Sequence, residues 1–304
     1  MNIVMLCGGV GGARAALALQ ENFREDSLVF IVNSGDDFTH QGLEIWPDWD
    51  TVFYHLAGLQ DAERGWGRAD EGTRAMEEFK RFGAPEWFHL GDRDLALHVV
   101  RNGLLSEGWD RAQIADHLCQ QVGLDCRVLP VSAGSLQTKL LLDDGRKADF
   151  QPWFVQERGR PVVREVTVDT SVRVLPAVLT SIREADLIVM APSNPYLSLG
   201  PMLALPELAD VLKRRKVQKV AISPLIGGKA LKGPLDRLIE SLSDFQGQRA
   251  IAEYWAPWVD GLLLPRDEAE ALSGSPVKLW GGPTRLSNVA DRASFCQALK
   301  ELLR

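Results

Sequence analysis

The chain has 304 residues, 45% of them hydrophobic and 25% charged, with a formal net charge of -7. That length allows one large α/β domain or two modest ones around a sizeable core. The acidic balance excludes the basic surface that a nucleic-acid backbone requires, so phosphates must be handled locally, by backbone N–H groups, a few cations or a metal.

Residues 2–7 (NIVMLC) form a short apolar run of the kind expected for a buried parallel strand. The turn Gly8-Gly9-Val10-Gly11-Gly12 follows, then a helix over 13–19 and a second buried strand over 28–33. Strand, glycine turn, helix and strand in this order make a βαβ unit. Residues 34–50 mix Gly, Asp and Pro without periodicity and read as a long functional loop. From 51 to 121 the pattern is mostly helical, clearest over 95–105 and 111–121. Residues 126–131, 138–142 and 148–155 read as β, with an Asp143-Asp144-Gly145 turn between the last two. Regular alternation returns with strands over 187–191, 217–223 and 259–264 and helices over 203–214 and 289–303. The expected architecture is one α/β domain over 1–304. It is a Rossmann-like, mostly parallel sheet with a helical and β-rich insertion over 51–175.

The four cysteines (Cys7, Cys119, Cys126 and Cys296) form no CxxC pair, which points to reduced, mostly buried thiols. The first residues lack a basic n-region, and their apolar run is too short for a membrane span. The expected location is the cytoplasm, with no membrane partner.

Five segments carry chemistry. The turn CGGVGGAR lets backbone approach a phosphate at a helix N-terminus, with Gly8, Gly9, Gly11 and Gly12 as contact points. It lacks the Gly-Lys-Ser/Thr of a P-loop, and its bland reading is a tight strand-to-helix turn. The acidic loop holds Asp36, Asp37, Asp48 and Asp50 beyond a strand's C-terminal end, where open α/β sheets bind ligands. Magnesium takes carboxylate and water oxygens and bridges to phosphates, so Asp36, Asp37 and Asp48 are candidate ligands. Asp50 reads either as a base or as the cap of the next helix. In LGDRD (90–94) the aspartates suit either a cap and ion pair or a substrate-positioning cluster, and His98 lies one turn after Asp94. APSNP (191–195) and SPLIGG (223–228) each follow a strand, presenting Ser193, Asn194 and Gly227 at one sheet edge. Several of the nine tryptophans lie near the acidic loop, as ring-stacking walls or as ordinary core.

Taken in order, GGVGGAR (8–14), NSGDD (33–37), PDWDT (47–51), RGWG (64–67), LGDRD, APSNP and SPLIGG resemble the 2-phospho-L-lactate transferases of coenzyme F420 biosynthesis, the CofD/FbiA group. The resemblance covers roughly residues 1–265. It implies transfer of a phospho-three-carbon acid from a guanylyl diphosphate-linked donor to the deazaflavin FO, with magnesium and release of GMP. It also implies that Asp50 and His89 contact FO, that Asp50 orients or deprotonates its hydroxyl, and that the glycine turn and the two later loops serve the nucleotide. A homodimer is compatible with it. Two departures stand out: Ala133-Gly134 replace paired aspartates of many relatives, and Leu97 replaces a threonine.

Two other classes compete. One is a non-catalytic nucleotide-sugar-binding regulator of the YvcK-like branch, which shares the glycine turn and an Asp-Asp pair. The other is an NAD-dependent oxidoreductase, disfavoured because the second strand ends in Asn33 where an acidic residue would bind ribose.

Overall fold

The computed structural model describes residues 1–231 and 233–302. The first βαβ unit forms as its pattern requires: β1 (Asn2–Cys7), α1 (Gly9–Asn22) and β2 (Ser27–Val32). The glycine turn is largely the first turn of α1, because Gly9 already begins the helix. The segment read as a loop is more ordered than expected. It holds the hairpin β3 (Phe38–His40) and β4 (Leu43–Ile45) and the start of α2 (Pro47–Leu56). Pro47 at the first helical position explains that start, since its fixed φ suits a helix and its missing N–H costs nothing there.

Next come α3 (Arg74–Arg81), α4 (Asp92–Ser106) and α5 (Arg111–Gln121), with a capping box between Asp110 and Gln113 starting α5. β5 (Arg127–Pro130) then pairs parallel with β2 at the edge of the main sheet. The stretch 51–175 is therefore not one excursion from the sheet; it returns to it midway. The β-rich part proper is the antiparallel set β6 (Lys139–Leu142), β7 (Lys147–Asp149) and β8 (Val163–Thr167). Residues 150–155, expected as strand, form α6 (Phe150–Val155) instead. Pro152 has no N–H for a ladder and is accommodated in the first helical turn.

The remainder alternates: α7 (Pro176–Glu184), β9 (Leu187–Met190), a π-helical turn (Pro195–Leu199), α8 (Gly200–Leu203), α9 (Pro206–Arg214) and β10 (Gln218–Ile222). The expected helix over 203–214 is thus divided before Pro206, which cannot continue a preceding helix without losing a hydrogen bond. The short pair β11 (Leu225–Ile226) and β12 (Lys229–Ala230) precedes α10 (Leu235–Leu242) and α11 (Gly247–Trp255). The chain closes with β13 (Gly261–Leu264), α12 (Arg266–Ala271), β14 (Lys278–Gly281) and α13 (Val289–Leu302).

The main sheet has seven strands in the order β14-β13-β10-β9-β1-β2-β5, and every pairing is parallel. Side chains alternate across it: Ile3, Met5 and Cys7 enter one core with α1, α2 and α13, while Val4 and Leu6 enter the other with α7, α9 and α11. The fold is α/β and Rossmann-like. The chain steps outward in opposite directions from β1, so the ends of β1 and β9 flank the crevice where such sheets bind ligands.

Candidate active site

Asp48, Asn33 and Asp36 converge over the end of β1. The first N–H of α1, at Gly9, donates to Asp48 Oδ1 at 2.7 Å, and Asn33 Nδ2 donates to Asp36 Oδ1 at 2.9 Å and Asp48 Oδ2 at 3.0 Å. From the β9 loop, the Ser193 hydroxyl donates to the Gly8 carbonyl at 2.7 Å and accepts from the Gly8 N–H at 3.1 Å. The glycines are required by close packing within the protein. A Cβ at Gly8 would collide with the Asp48 carboxylate, and one at Gly11 with the Pro192 carbonyl. Gly9 has φ +60°, a conformation glycine adopts without strain. Gly12 packs against Ser193 and Cys7 in the same way.

Asp36 and Asp48 are 8% and 5% exposed, and among the described residues neither has an ion-pair partner. Burial, then the neighbouring carboxylates Asp48 and Asp37, push Asp36 well above the ordinary carboxyl range. Burial pushes Asp48 up to about 6, although Asn33 and the Gly9 N–H hold it lower than burial alone would. Two buried carboxylates around one amide are hard oxygen donors lacking counter-charge, which fits a magnesium ion that keeps water or phosphate oxygens in its other positions. Among the described residues no set of three His, Cys, Asp or Glu forms a complete metal cage. Asp37 differs from the other two. Arg111 meets its Oδ2 at 2.6 Å and also reaches Glu44 at 2.8 Å, while burial still lifts the Asp37 carboxyl to about 7.

Asp50 faces away from this pair. It lies two positions after Asp48 in the first turn of α2, so the two point to different sides of the helix. It is not a helix cap, since α2 starts before it and Trp46 holds the N-cap position. Its partner is Arg101, fully buried on α4, which contacts both Asp50 oxygens, the second at 3.3 Å. The Arg101 guanidinium lies 4.3 Å from the Trp46 ring centre and 5.4 Å from that of Trp49. On the same face of α4, at helical spacing, sit Asp94 and His98. His98 Nδ1 lies 3.8 Å from Asp50, and its Nε2 lies 3.4 Å from Asp94, which accepts from the Tyr54 hydroxyl at 2.5 Å. Burial raises the Asp50 carboxyl; Arg101 and His98 pull it back without cancelling the rise. Asp94 ends below its ordinary range, because His98, Tyr54 and Arg101 outweigh the burial.

The other expected residues scatter. His89 is exposed, just before α4 and outside this network. Asn194 caps the π-helical turn, its Oδ1 accepting from the N–H groups of Tyr196 and Leu197 at 3.0 and 3.1 Å. The Gly227 and Gly228 N–H groups both donate at 2.9 Å to the Glu268 carboxylate, so an acidic side chain occupies the expected phosphate contact. Ala133-Gly134 lie in the loop after β5, where the neighbouring Ser135 hydroxyl donates to the Asp37 carbonyl at 2.5 Å. Sequence reading missed Asn33, Arg101 and Arg111. The spacing Asp94-His98-Arg101, one charged stripe on a helix between apolar positions, was the available signal for Arg101.

Residues 3–275 match the family model described as 2-phospho-L-lactate transferase CofD. The chain is 39% identical to a phosphoenolpyruvate transferase of Thermobifida fusca, covering 99% of this chain and 98% of that one. It is 34% identical to a phosphoenolpyruvate transferase of Mycolicibacterium smegmatis, covering 91% and 92%. Among solved structures, a Bacillus halodurans protein superposes with a TM-score of 0.58 at 18% identity, covering 92% of this chain and 87% of that one. That likeness bears on the fold alone.

Proposed function

Since the chain belongs to the 2-phospho-L-lactate transferase family CofD and is thereby a transferase of coenzyme F420 biosynthesis, we propose which groups it exchanges. The donor is guanylyl diphosphate-linked, and the acid is phosphoenolpyruvate, as in the names of its relatives. The acceptor is the terminal ribityl hydroxyl of FO. The hydroxyl oxygen bonds to the phosphorus bearing the acid, the bond from that phosphorus to the bridging oxygen breaks, and GMP leaves with that oxygen. Its setting is the cytoplasm.

The observation that carries this reading is the Asp50–Arg101 pair. A buried carboxylate locked by a buried guanidinium cannot swing, so it accepts a hydrogen bond from a hydroxyl in one fixed direction. His98 on its other side offers a second group for the released proton. Asp36 and Asp48 would hold magnesium, which supplies charge neutralisation for the donor's diphosphate. The α1 N-terminus, where the Gly8 N–H goes to Ser193 and the Gly9 N–H to Asp48, turns its next N–H groups toward the same charge. His89, exposed just before α4, would be the FO-side contact.

The test is incubation with FO, magnesium and each of the lactyl, phosphoenolpyruvyl and phosphoglyceryl donors, with products read by mass spectrometry. The expected result is FO carrying a phosphoenolpyruvyl group and one GMP per product. Unmodified FO with all three donors would reject the reading.

A further inference from the structure

The β-rich insertion contributes no strand to the main sheet, yet it grips the acidic loop at four consecutive residues. The Leu136 N–H donates to the Ser34 carbonyl and the Thr138 N–H to the Gly35 carbonyl, both at 3.0 Å. Gln151 Nε2, in the first turn of α6, donates to the Asp36 carbonyl at 3.3 Å. The Ser135 hydroxyl donates to the Asp37 carbonyl at 2.5 Å. Every carbonyl from Ser34 to Asp37 is thus taken by the stretch 135–151. Gly35 is the tight point: a Cβ there would lie 2.6 Å from Thr138 Oγ1 and 2.9 Å from Asn33 Oδ1, so loop and insertion touch with no gap. The insertion is itself firm. Leu140, Leu142, Phe150 and Trp153 form its own core, closed by Leu197 of the π-helical turn and Leu238 of α10.

The two unpaired carboxylates therefore hang from different supports. Asp48 is tied to the start of α1 through the Gly9 N–H, while the backbone of Asp36 is tied to the insertion. Two buried carboxylates around one amide repel each other, and a loop free to move would carry Asp36 away from Asp48. Resting on the magnesium reading above, we propose that the insertion is a clamp that holds Asp36 beside Asp48 in the metal-free protein, with Ser135 and Gln151 as its positioning residues. A site assembled in advance loses less free energy to ordering the loop on binding, so the clamp sets the magnesium affinity. Both residues act through the backbone of the loop. Their bonds are made by side chains, which a substitution can remove; those of Leu136 and Thr138 are made by the main chain.

The experiment is calorimetric titration of the whole protein with magnesium chloride, beside a melting curve for each protein. It compares wild type with the double variant Ser135→Ala, Gln151→Met, in which methionine keeps the length and helix propensity of glutamine. Losing two hydrogen bonds that hold the loop raises the magnesium Kd about 10-fold, and Ser135→Ala alone raises it about 3-fold. Ser135→Thr keeps the hydroxyl and binds as wild type does. The control is Arg292→Met, which breaks the Glu21 pair far from the loop and lowers Tm without moving the Kd. A wild-type Kd in the double variant would overturn the clamp and leave the metal site standing. An equal rise in Arg292→Met would also overturn it, because affinity would then follow overall stability. A wild-type protein that takes up no magnesium would sink the metal reading and the clamp with it. If the double variant does not fold, Ser135→Ala against Ser135→Thr decides on the same terms.

Discussion

The role of Asp50 is set by a partner far away in the chain, Arg101. As a helix cap it would tolerate asparagine, which caps about as well. As the partner of a fully buried Arg101 it does not. Asp50→Asn leaves a guanidinium without counter-charge, and breaking a buried pair costs about 3–5 kcal/mol. The single variant should therefore lose both Tm and kcat, and the rate loss alone says nothing about catalysis. The double variant Asp50→Asn, Arg101→Met separates the two, because an apolar replacement of a buried pair is often neutral. If Asp50 orients or deprotonates the acceptor hydroxyl, the double variant should recover Tm and stay about 10²–10⁴-fold slow in kcat. Recovery of both would make Asp50 purely structural. The sequence showed the aspartate but not its role, since the deciding partner lies 51 positions away on another helix.

The segment from β2 into the first turn of α2 is where two buried carboxylates, Asp36 and Asp48, lack cations. Asp36 and Asp48 have folded pKa values above the ordinary carboxyl range, Asp48 at about 6. The folded state therefore holds protons there that the unfolded chain has already lost. The stability from this group is fully present below about pH 4 and falls as pH rises through about 6. In metal-free buffer, Tm should fall across that window through this pair. Asp36→Asn keeps the acceptor for Asn33 while removing one charge, and should raise Tm near pH 7.5 and flatten the slope. Saturating magnesium should raise the wild-type Tm, as any ligand of the folded state does, and should not raise that of Asp36→Asn. An equal magnesium shift in both proteins would remove Asp36 from the metal site. The same segment marks the limit of reading by periodicity. A three-residue hairpin and a proline-led helix start are too short to show a period, so an ordered element looked like a loop. The helix α5 and the apolar runs of β1, β2 and β9 were legible because each follows a strong periodic or apolar pattern.

Across the whole molecule, the parallel sheet follows from alternating buried runs and helices, but its edges do not follow from sequence resemblance. The family match ends at residue 275, and the resemblance in motifs stops near 265. Yet β14 completes the sheet beyond that point, and α13 packs on α1. Phe295, Cys296 and Leu299 are buried there, Arg292 makes two hydrogen bonds to Glu21 at 2.7 Å, and Lys300 reaches the Asn22 carbonyl at 2.7 Å. Burying each large apolar side chain contributes about 1.5–3 kcal/mol, so this helix carries several kcal/mol of a total of about 5–15. Removing residues 276–304 uncovers the α1 face and strips β13 of one of its two parallel partners, leaving β10 alone beside it. The truncated chain should therefore lose the sharp thermal transition of the full chain and bind a hydrophobic dye, a sign of exposed core. A truncated protein that melted cooperatively at the wild-type Tm would show that the segment is an addition to a complete domain. The two outcomes differ in degrees and in the width of the transition, so one melting curve decides between them.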